Sequence, residues 1–314
     1  PCRGVRAGTL DGKILLVQDA KKGDPLSQSH IDGSIKLGAG TKVTADQLIL
    51  SLPVRLHDFE RINKTFDISN YEWHLSYAEV KTARAKIFST FKEQIKDKNF
   101  SIHLPDYISP NKLIDPISAD QSTRNLSWKI IQEVVDLASE LQDYTNCSVP
   151  IVGSFSVVNG SKPKFYQALS ETINQINEKN CVKMVPQFLP KVAWYFGGSV
   201  ELDVFCHIDD LSFFEKLPFG ICLDVAHCIM AANYFNQNHS EWINKLLPLS
   251  THLHVSDATG IDGEGVPFGE GEINDNLNTI LNFGGRKVIE QWEGHLNDYQ
   301  GFKEALNYII SKAN

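Results

Sequence analysis

Several features that define common protein classes are missing from this sequence of 314 residues. No apolar run approaches the roughly 20 residues that a membrane-spanning helix requires. The first residues do not resemble a signal peptide, because Arg3 and Arg6 are not followed by an apolar segment. From these absences we expect a protein without a membrane partner.

Cysteine pairs with the C-x-x-C spacing of metal and redox sites are also absent. The six cysteines are scattered along the chain, at Cys2, Cys147, Cys181, Cys206, Cys222 and Cys228. In a chain of this length, such scatter is typical of reduced, buried side chains and not of a disulfide framework. We therefore expect a cytoplasmic location.

An excess of basic charge is missing as well. Lysine and arginine number 30 against 38 acidic residues, which gives a formal net charge of −8. A protein that binds phosphate backbones normally presents a basic face, so we expect no nucleic-acid partner. No GxGxxG or GxxxxGK motif follows an early apolar segment, which leaves a nucleotide-binding sheet without support.

What the sequence does contain, from residue 71 onward, is a regular alternation of short apolar segments with stretches of helical periodicity. The segment 78–96, for example, places Val80, Ala83 and Ile87 on one helical face. Seven segments are typical of strands: 71–77, 100–104, 151–158, 182–189, 220–225, 251–256 and 287–292. This alternation predicts parallel strands joined by helices, and the even spacing favours a closed (β/α)8 barrel over an open sheet.

An eighth strand is needed to close such a barrel, and residues 53–59 are the candidate. The gap from Glu60 to Asn70 is too short for an ordinary crossover helix. Either the first strand–helix unit is abbreviated or the first strand lies elsewhere. We predict a barrel domain of residues 53–314, preceded by a small β-rich extension of residues 1–52.

Two phrases of that extension resemble SAF or antifreeze-like domains, which are often attached to sialic-acid synthases. They are LLVQDAKKGDPLSQSHI (residues 15–31) and IKLGAGTKVTADQLIL (residues 35–50). The resemblance implies a role near sialic-acid-type sugar biosynthesis. A β-rich cap of the barrel is the alternative.

Parallel barrel strands end on one face, where catalytic groups collect. Asp224 and His227 follow one predicted strand, although an aspartate there can also cap the next helix. His252 and His254 alternate to the same side of the next strand, so the pattern does not decide which one reaches the mouth of the barrel. A glycine-rich acidic loop follows, which either wraps a polar ligand or forms a structural turn.

The last predicted strand contains Glu290 among apolar residues, with Glu293 and His295 just beyond it. An aspartate, a histidine and a glutamate from three successive strands can bind a divalent cation. The same groups can also transfer protons without a metal. The pattern alone leaves both possibilities open.

Four phrases resemble motifs of the xylose-isomerase-like TIM barrel superfamily, which includes sugar-phosphate isomerases, epimerases and endonuclease IV. Three match its late strands: CLDVAH, HLHVSDATG with GEGVPFGEG, and VIEQWEGH. The fourth, QFLPKVAWYFGGS, is similar to its fifth-strand phrase. The resemblance covers residues 71–314 and implies an α/β fold of the (β/α)8 type.

The resemblance also implies a set of metal ligands. The one-metal members hold a divalent ion (Mn, Mg, Zn or Co) with a Glu, an Asp, a His and a Glu from the fifth to eighth strands. The last three positions fall on Asp224, His254 and Glu290, whereas the fifth-strand position falls on Gln187. Glutamine keeps a carbonyl oxygen but carries no charge and cannot act as a base, so we expect weak metal binding.

The function implied is that of a sugar or sugar-phosphate isomerase or epimerase acting by metal-assisted proton transfer, as a monomer or a homo-oligomer. The predicted catalytic residues are Glu290, Gln187 and His227, and the predicted substrate-binding residues are His103, Asp257, Glu264 and Glu293. Gln187 motivates an alternative, a non-catalytic sugar-binding or regulatory barrel. A metal-dependent phosphoesterase or nuclease ranks third, because IDGEGVPFG stands where endonuclease IV has a DRH-type motif and more histidines.

Overall fold

Eight parallel strands form the centre of the molecule in the computed structural model, which describes residues 43–313. They are β1 (Leu50–Val54), β2 (Asn70–His74), β3 (Asn99–His103), β4 (Pro150–Gly153), β5 (Lys183–Pro186), β6 (Ile221–Asp224), β7 (Ser250–Val255) and β8 (Arg286–Ile289). The hydrogen-bonded order is β6-β7-β8-β1-β2-β3-β4-β5, and every neighbouring pair is parallel. The predicted (β/α)8 TIM barrel is therefore confirmed.

The ring of strands closes between β5 and β6. Gln187, directly after β5, forms an isolated parallel bridge with Cys222 of β6. The Phe188 N–H donates to the Cys222 carbonyl oxygen over 2.8 Å, while the Gln187 N–H donates to Gly153 on the other side. We call the pairing of Gln187 and Phe188 with Cys222 the seam of the barrel.

Helices follow the strands and cover the barrel. They are α1 (Phe59–Thr65), α2 (Val80–Thr90), α3 (Lys92–Ile95), α4 (Gln121–Thr145), α5 (Lys162–Asn180), α6 (Leu211–Phe214), α7 (Val225–Tyr234), α8 (His239–Leu246), α9 (Leu277–Leu281) and α10 (Leu296–Ala313). Local signals set several of their starts: the Asp120 side chain caps α4, and Pro163 lies in the first turn of α5. None of the helices within residues 43–313 is long and apolar enough to cross a membrane.

The first strand–helix unit is the abbreviated one that the sequence suggested. The predicted strand 53–59 was misplaced, because β1 starts at Leu50, and Asp58 and Phe59 belong to the turn and to α1. Phe59 anchors the short helix α1 to the barrel. Its ring centroid lies 4.9 Å from that of Trp73 and 5.2 Å from that of Phe91. The division of the chain at residue 52 and the SAF-like resemblance stay predictions, since residues 1–42 lie outside the described part of the chain.

The alternation of β2 determines which side chains enter the barrel. Tyr71 and Trp73 pack against the aromatic rings between strands and helices, including Phe100. Glu72 and His74, on the opposite face, contact side chains from across the barrel. A strand that is buried on both faces thus delivers two polar groups to the interior.

Four of the five cysteines in the described region are reduced as expected, whereas Cys181 is disulfide-bonded and the expectation is wrong there. Cys147, Cys206, Cys222 and Cys228 are free thiols, and the last three are buried. Burial raises the pKa of Cys222 and of Cys206 to about 12. These thiols are therefore protonated near neutral pH unless a cation is bound.

Candidate active site

Asp224, His254 and Glu290 lie together at the C-terminal ends of β6, β7 and β8. The His254 Nδ1 atom is 3.0 Å from Glu290 Oε2 and 3.8 Å from Asp224 Oδ2. The sequence left open which histidine of β7 reaches this end of the barrel. The structure shows that His254 does, whereas His252 lies one layer deeper.

Asp224 is held from two sides and also ends its strand as a helix cap. Its Oδ1 accepts the backbone N–H of His227 at the start of α7, and its Oδ2 accepts the Gln187 amide at 2.9 Å. Burial raises the pKa of Asp224 to about 6. Burial would lower the pKa of His227, but the nearby Asp224 and Glu264 carboxylates raise it to about 10. His227 Nδ1 also lies 3.0 Å from the Phe188 carbonyl oxygen, so the ring is fixed.

The Gln187 amide is oriented by four neighbours. Its Oε1 accepts the Ser154 hydroxyl at 2.8 Å and lies 3.1 Å from His103 Nε2. Its Nε2 donates to Asp224 and lies 3.1 Å from His254 Nδ1. Gln187 therefore presents an N–H group, not a carbonyl oxygen, to Asp224 and His254. It fastens these two side chains together.

Glu290 is the member of the group that reaches open space. Its side chain is 16 % exposed, whereas Asp224 and His254 are buried beneath it. His74 Nε2 lies 3.4 Å from the Glu290 carboxylate. Burial by itself would raise the pKa of Glu290, but His254 at 3.0 Å and the more distant His74 lower it to about 2. Glu290 thus faces the cavity as an ionised carboxylate.

Glu72 is a functional-site residue that the analysis of strand ends missed. It is fully buried, and its carboxylate accepts hydrogen bonds from Ser101 at 2.7 Å, His252 at 2.9 Å and His74 at 3.0 Å. His254 Nε2 lies 3.0 Å from the same carboxylate. Burial alone would raise the pKa of Glu72, but His254 and these hydrogen bonds hold it well below its ordinary value. One buried charge thus organises the imidazoles under the site.

A cavity of about 1060 Å³ opens above this cluster. Its floor includes Glu290, Gln187 and His227, and its walls include two predicted substrate-binding residues, His103 and Glu264. A third, Glu293, lines a smaller cavity of about 320 Å³ that shares Glu290 and Glu264 with the larger one. The space is large enough for a small polar ligand with substituents.

Exposed aromatic side chains stand at the rim of the larger cavity. Trp194, on the hairpin after β5, is 68 % exposed, and Trp292, after β8, is 58 % exposed. Trp292 packs over Gly265, whose φ of +70° and missing side chain leave room for the indole. The rim thus offers two flat apolar surfaces above a polar floor.

Asp257, the remaining predicted substrate-binding residue, is placed differently. It is fully buried, and its carboxylate accepts backbone N–H groups from Ala258, Gly269, Gly271 and Ile273, all at 2.9–3.0 Å. These bonds fold the glycine-rich loop back on itself. Asp257 therefore organises the wall of the cavity and does not line it.

A parallel eight-stranded barrel with a polar cluster at the C-terminal ends of its strands is the arrangement typical of (β/α)8-barrel enzymes. The chain belongs to the xylose isomerase-like TIM barrel family, whose family model matches residues 66–312. No curated protein matches the sequence at a significant level. The resemblance to the family in the sequence motifs is thus confirmed.

Solved structures with a similar fold include sugar-modifying enzymes. The 3-keto-D-glucoside 4-epimerase YcjR of E. coli has 14 % identity and a TM-score of 0.57, over 84 % of this chain and 99 % of its own. A probable 3-DHS dehydratase, AsbF of Bacillus anthracis, has 13 % identity and a TM-score of 0.57, over 84 % and 98 %. A xylose isomerase domain protein of Alicyclobacillus acidocaldarius has 12 % identity and a TM-score of 0.56, over 84 % and 99 %. At these identities the likeness establishes the fold.

The residues at the mouth fit a divalent cation in part. Glu72, His254 and Glu290 each offer a ligand atom, and these atoms lie within 4.8 Å of one another. Asp224 stands beside them, 3.8 Å from His254. Gln187 departs from the pattern, because its amide N–H occupies the side on which a fourth carboxylate would complete the ligands. Because the Glu72 carboxylate is engaged by Ser101, His252 and His74, the available ligands are Asp224, Glu290 and His254, which is enough for a weak site.

We expect Gln187→Glu to strengthen binding of Mn²⁺ by about tenfold or more, because ligand charge raises cation affinity. Titration of wild type and variant with Mn²⁺, followed by calorimetry or electron paramagnetic resonance, measures the change. Gln175→Glu, which adds the same charge at an exposed position on α5, is the control. Equal affinities in wild type and Gln187→Glu would show that residue 187 is not a ligand.

Proposed function

We propose that this protein is a sugar or sugar-phosphate isomerase or epimerase that moves a proton at a carbon next to a carbonyl group. The observation that carries the proposal is the placement of Glu290, an ionised carboxylate that reaches the cavity from a buried group of fixed polar side chains. A carboxylate that is ionised and reaches the cavity can accept a proton from a bound substrate, as a general base does. The membership of the family and its sugar-modifying structural neighbours support the same class of substrate.

In the proposed reaction, Glu290 removes a proton from the substrate carbon, and the electrons move onto the adjacent carbonyl oxygen to give an enediolate. A cation held by Asp224, His254 and Glu290 would supply Lewis-acid stabilisation of that oxygen. His254 keeps Glu290 ionised before the transfer. Gln187 holds Asp224 and His254 in place and takes no proton itself.

Return of the proton completes the reaction and separates the two possible outcomes. Four polar residues form the candidate site: Asp224, His254, Glu290 and Gln187. Glu290 is the carboxylate among them that lines the cavity. If the same carboxylate returns the proton to the neighbouring carbon and the hydroxyl proton passes to the former carbonyl oxygen, the reaction is an aldose–ketose isomerisation. Epimerisation requires a second acid on the opposite face of the substrate, and His103 and His227 line the cavity and can fill that role.

The rim explains how a sugar could be held. Trp194 and Trp292 present flat apolar faces, which suit the C–H faces of a sugar ring. Arg55 lines both cavities and offers a guanidinium group to a phosphate substituent. Participation in sialic-acid-type sugar biosynthesis is a narrower prediction, and it depends on the SAF-like phrases of residues 15–31 and 35–50.

Incorporation of solvent deuterium tests the proposal. The wild-type protein, with Mn²⁺, Mg²⁺, Co²⁺ or Zn²⁺, is incubated in D₂O with a panel of aldoses, ketoses and their phosphates, and the products are analysed by NMR. We expect exchange at a carbon next to the carbonyl in at least one sugar. Saturable binding of a sugar without exchange at any carbon would identify the alternative, a non-catalytic sugar-binding barrel.

The third candidate function, a metal-dependent phosphoesterase or nuclease, gains some support from the histidines at the cavity. His74 and His103 join His227 at the cavity, and histidine-rich mouths suit metal-dependent phosphoesterases. The net charge of −8 argues against a nucleic-acid substrate. We expect no incision of duplex DNA at an abasic site, measured on denaturing gels with each divalent metal, and no salt-sensitive complex with the duplex. Metal-dependent incision that His74→Ala abolishes would favour the phosphoesterase.

A further inference from the structure

A second group of potential ligands lies inside the barrel, one layer below the candidate active site. Cys222 of β6 and His252 of β7 are paired in the parallel register, and both side chains are buried. Cys222, His252 and His254 each offer a ligand atom, and these three atoms lie within 4.8 Å of one another. Barrel interiors at this depth are normally filled by branched apolar side chains, so the group requires an explanation.

The hydrogen bonds of His252 determine which of its nitrogens is free. Its Nε2 lies 2.9 Å from Glu72 Oε2. Because an ionised carboxylate only accepts hydrogen bonds, Nε2 carries the hydrogen, and Nδ1 of the neutral ring carries a lone pair. That Nδ1 atom is buried without a hydrogen-bond partner among the described residues. A carboxylate that fixes one nitrogen while the other stays free is the arrangement seen behind metal-bound histidines.

His254 contributes a nitrogen of a different kind. Its Nε2 is buried and lacks a hydrogen bond of good geometry within residues 43–313, and it lies 3.0 Å from Glu72 Oε1. Buried imidazole nitrogens are ordinarily paired, so the unpaired His252 Nδ1 atom beside a buried thiol points to a missing partner. The chemistry of that partner must satisfy sulfur and nitrogen lone pairs together.

We propose that Cys222, His252 and His254 bind a zinc-like divalent cation inside the barrel, beside the hydrogen-bonded Glu72 carboxylate. Thiolate and imidazole ligands select Zn²⁺ over the hard cations that carboxylate sites prefer. On binding, the Cys222 thiol and the His254 Nε2–H group each release a proton to solvent, and the sulfur and both imidazoles form bonds to the metal. The thiolate and the Glu72 carboxylate together balance the two positive charges of the ion, which makes burial tolerable.

This site has its own sulfur ligand and shares only the His254 ring with the cation position at the barrel mouth. The mouth uses the oxygen atoms of Asp224 and Glu290 around His254 Nδ1, whereas the inner site uses sulfur and nitrogen atoms from the layer below. The inner site also does not depend on the proposed reaction, since none of its sulfur or carboxylate atoms lines the cavity. The two can therefore be tested independently.

Cobalt substitution tests the inner site directly. The protein is expressed in minimal medium with Co²⁺ in place of Zn²⁺, so that the ion is incorporated during folding. We expect one equivalent of Co²⁺ with near-ultraviolet thiolate-to-cobalt charge-transfer absorption, and we expect Cys222→Ser to abolish that absorption. Cys206→Ser, which alters another buried free thiol, should retain it, as should Asp224→Asn at the mouth. Absence of the band in wild type, or its persistence in Cys222→Ser, would overturn the proposal.

X-ray absorption on the zinc-loaded wild type provides a test that needs no variant. We expect one sulfur neighbour at about 2.3 Å and nitrogen or oxygen neighbours at about 2.0–2.1 Å. A shell of nitrogen and oxygen alone would place any bound zinc at the mouth and refute the inner site. If Cys222→Ser does not fold, this measurement on the wild type can still refute the proposal.

Discussion

We expect Glu290→Gln to reduce proton exchange at the sugar carbon by about 10²–10⁴-fold, the range typical for loss of a general base. The amide keeps the shape of the side chain and its hydrogen-bonding atoms, so the cavity and the sugar affinity should change little. The rate is measured as solvent deuterium incorporation into the sugar that the wild-type panel identifies. If the protein is instead a non-catalytic sugar-binding barrel, Glu290→Gln should change the sugar affinity alone, and neither wild type nor variant should exchange the proton.

Glu270→Gln is the matched control, because it removes the same charge from an exposed part of the glycine-rich loop outside the cavity. It should exchange at the wild-type rate. Undiminished exchange in Glu290→Gln would remove Glu290 from the base role. Glu264 and Glu293 would then be the next candidates, because both line the cavities at the mouth, whereas Asp257 is committed to backbone N–H groups.

We expect Glu72→Ala to lower the free energy of unfolding by about 3–5 kcal/mol, the cost typical of removing one partner from a buried charged network. The variant leaves His74, His252 and Ser101 without their acceptor inside the barrel. Urea unfolding followed by tryptophan fluorescence, with a chelator present so that bound cations do not contribute, measures the loss.

Ser101→Ala is the comparison for this network. It removes a single hydroxyl donor from Glu72 and should cost about 1 kcal/mol. If Glu72→Ala were no more destabilising than Ser101→Ala, the carboxylate would not organise the imidazoles. The difference between the two variants, more than either value alone, reports the contribution of the buried charge.

The late-strand residues of the site could be located from the sequence because each interrupts or ends an apolar strand. Asp224, His254 and Glu290 are polar groups within or at the ends of apolar strands, and the family resemblance assigned them to successive strands. The structure brings them within contact of one another. Their roles in binding and catalysis remain predictions.

Glu72 and His74 escaped the same analysis for a physical reason. They lie within an early strand beside large aromatic residues, whereas the metal ligands were predicted from the ends of the later strands. The alternation of Tyr71, Glu72, Trp73 and His74 nevertheless contains the signal, because a strand buried on both faces has to place Glu72 inside the barrel. Polar residues of period two in an otherwise apolar strand therefore deserve the same weight as strand ends.

Helix α7 was also not predicted, because it lacks an amphipathic pattern. Seven of its residues are buried, among them Val225, Ile229 and Ala232, so apolar residues occur all around it. The reason is its position between the barrel and the chain segments that cover it, including α8 and the glycine-rich loop. Hydrophobic periodicity in a sequence identifies helices that have one solvent-exposed face, and α7 has no such face.

The seam between β5 and β6 is the join of the barrel with the least regular strand pairing. A cylinder of strands has no free edge, but this one is joined there through an isolated bridge. The two residues of the bridge, Gln187 and Cys222, belong to the mouth and to the inner layer, so this sparsely paired join of the cylinder lies next to both groups of polar side chains. We expect the Phe188 amide, which spans the seam, to exchange its hydrogen more slowly whenever either compartment is filled.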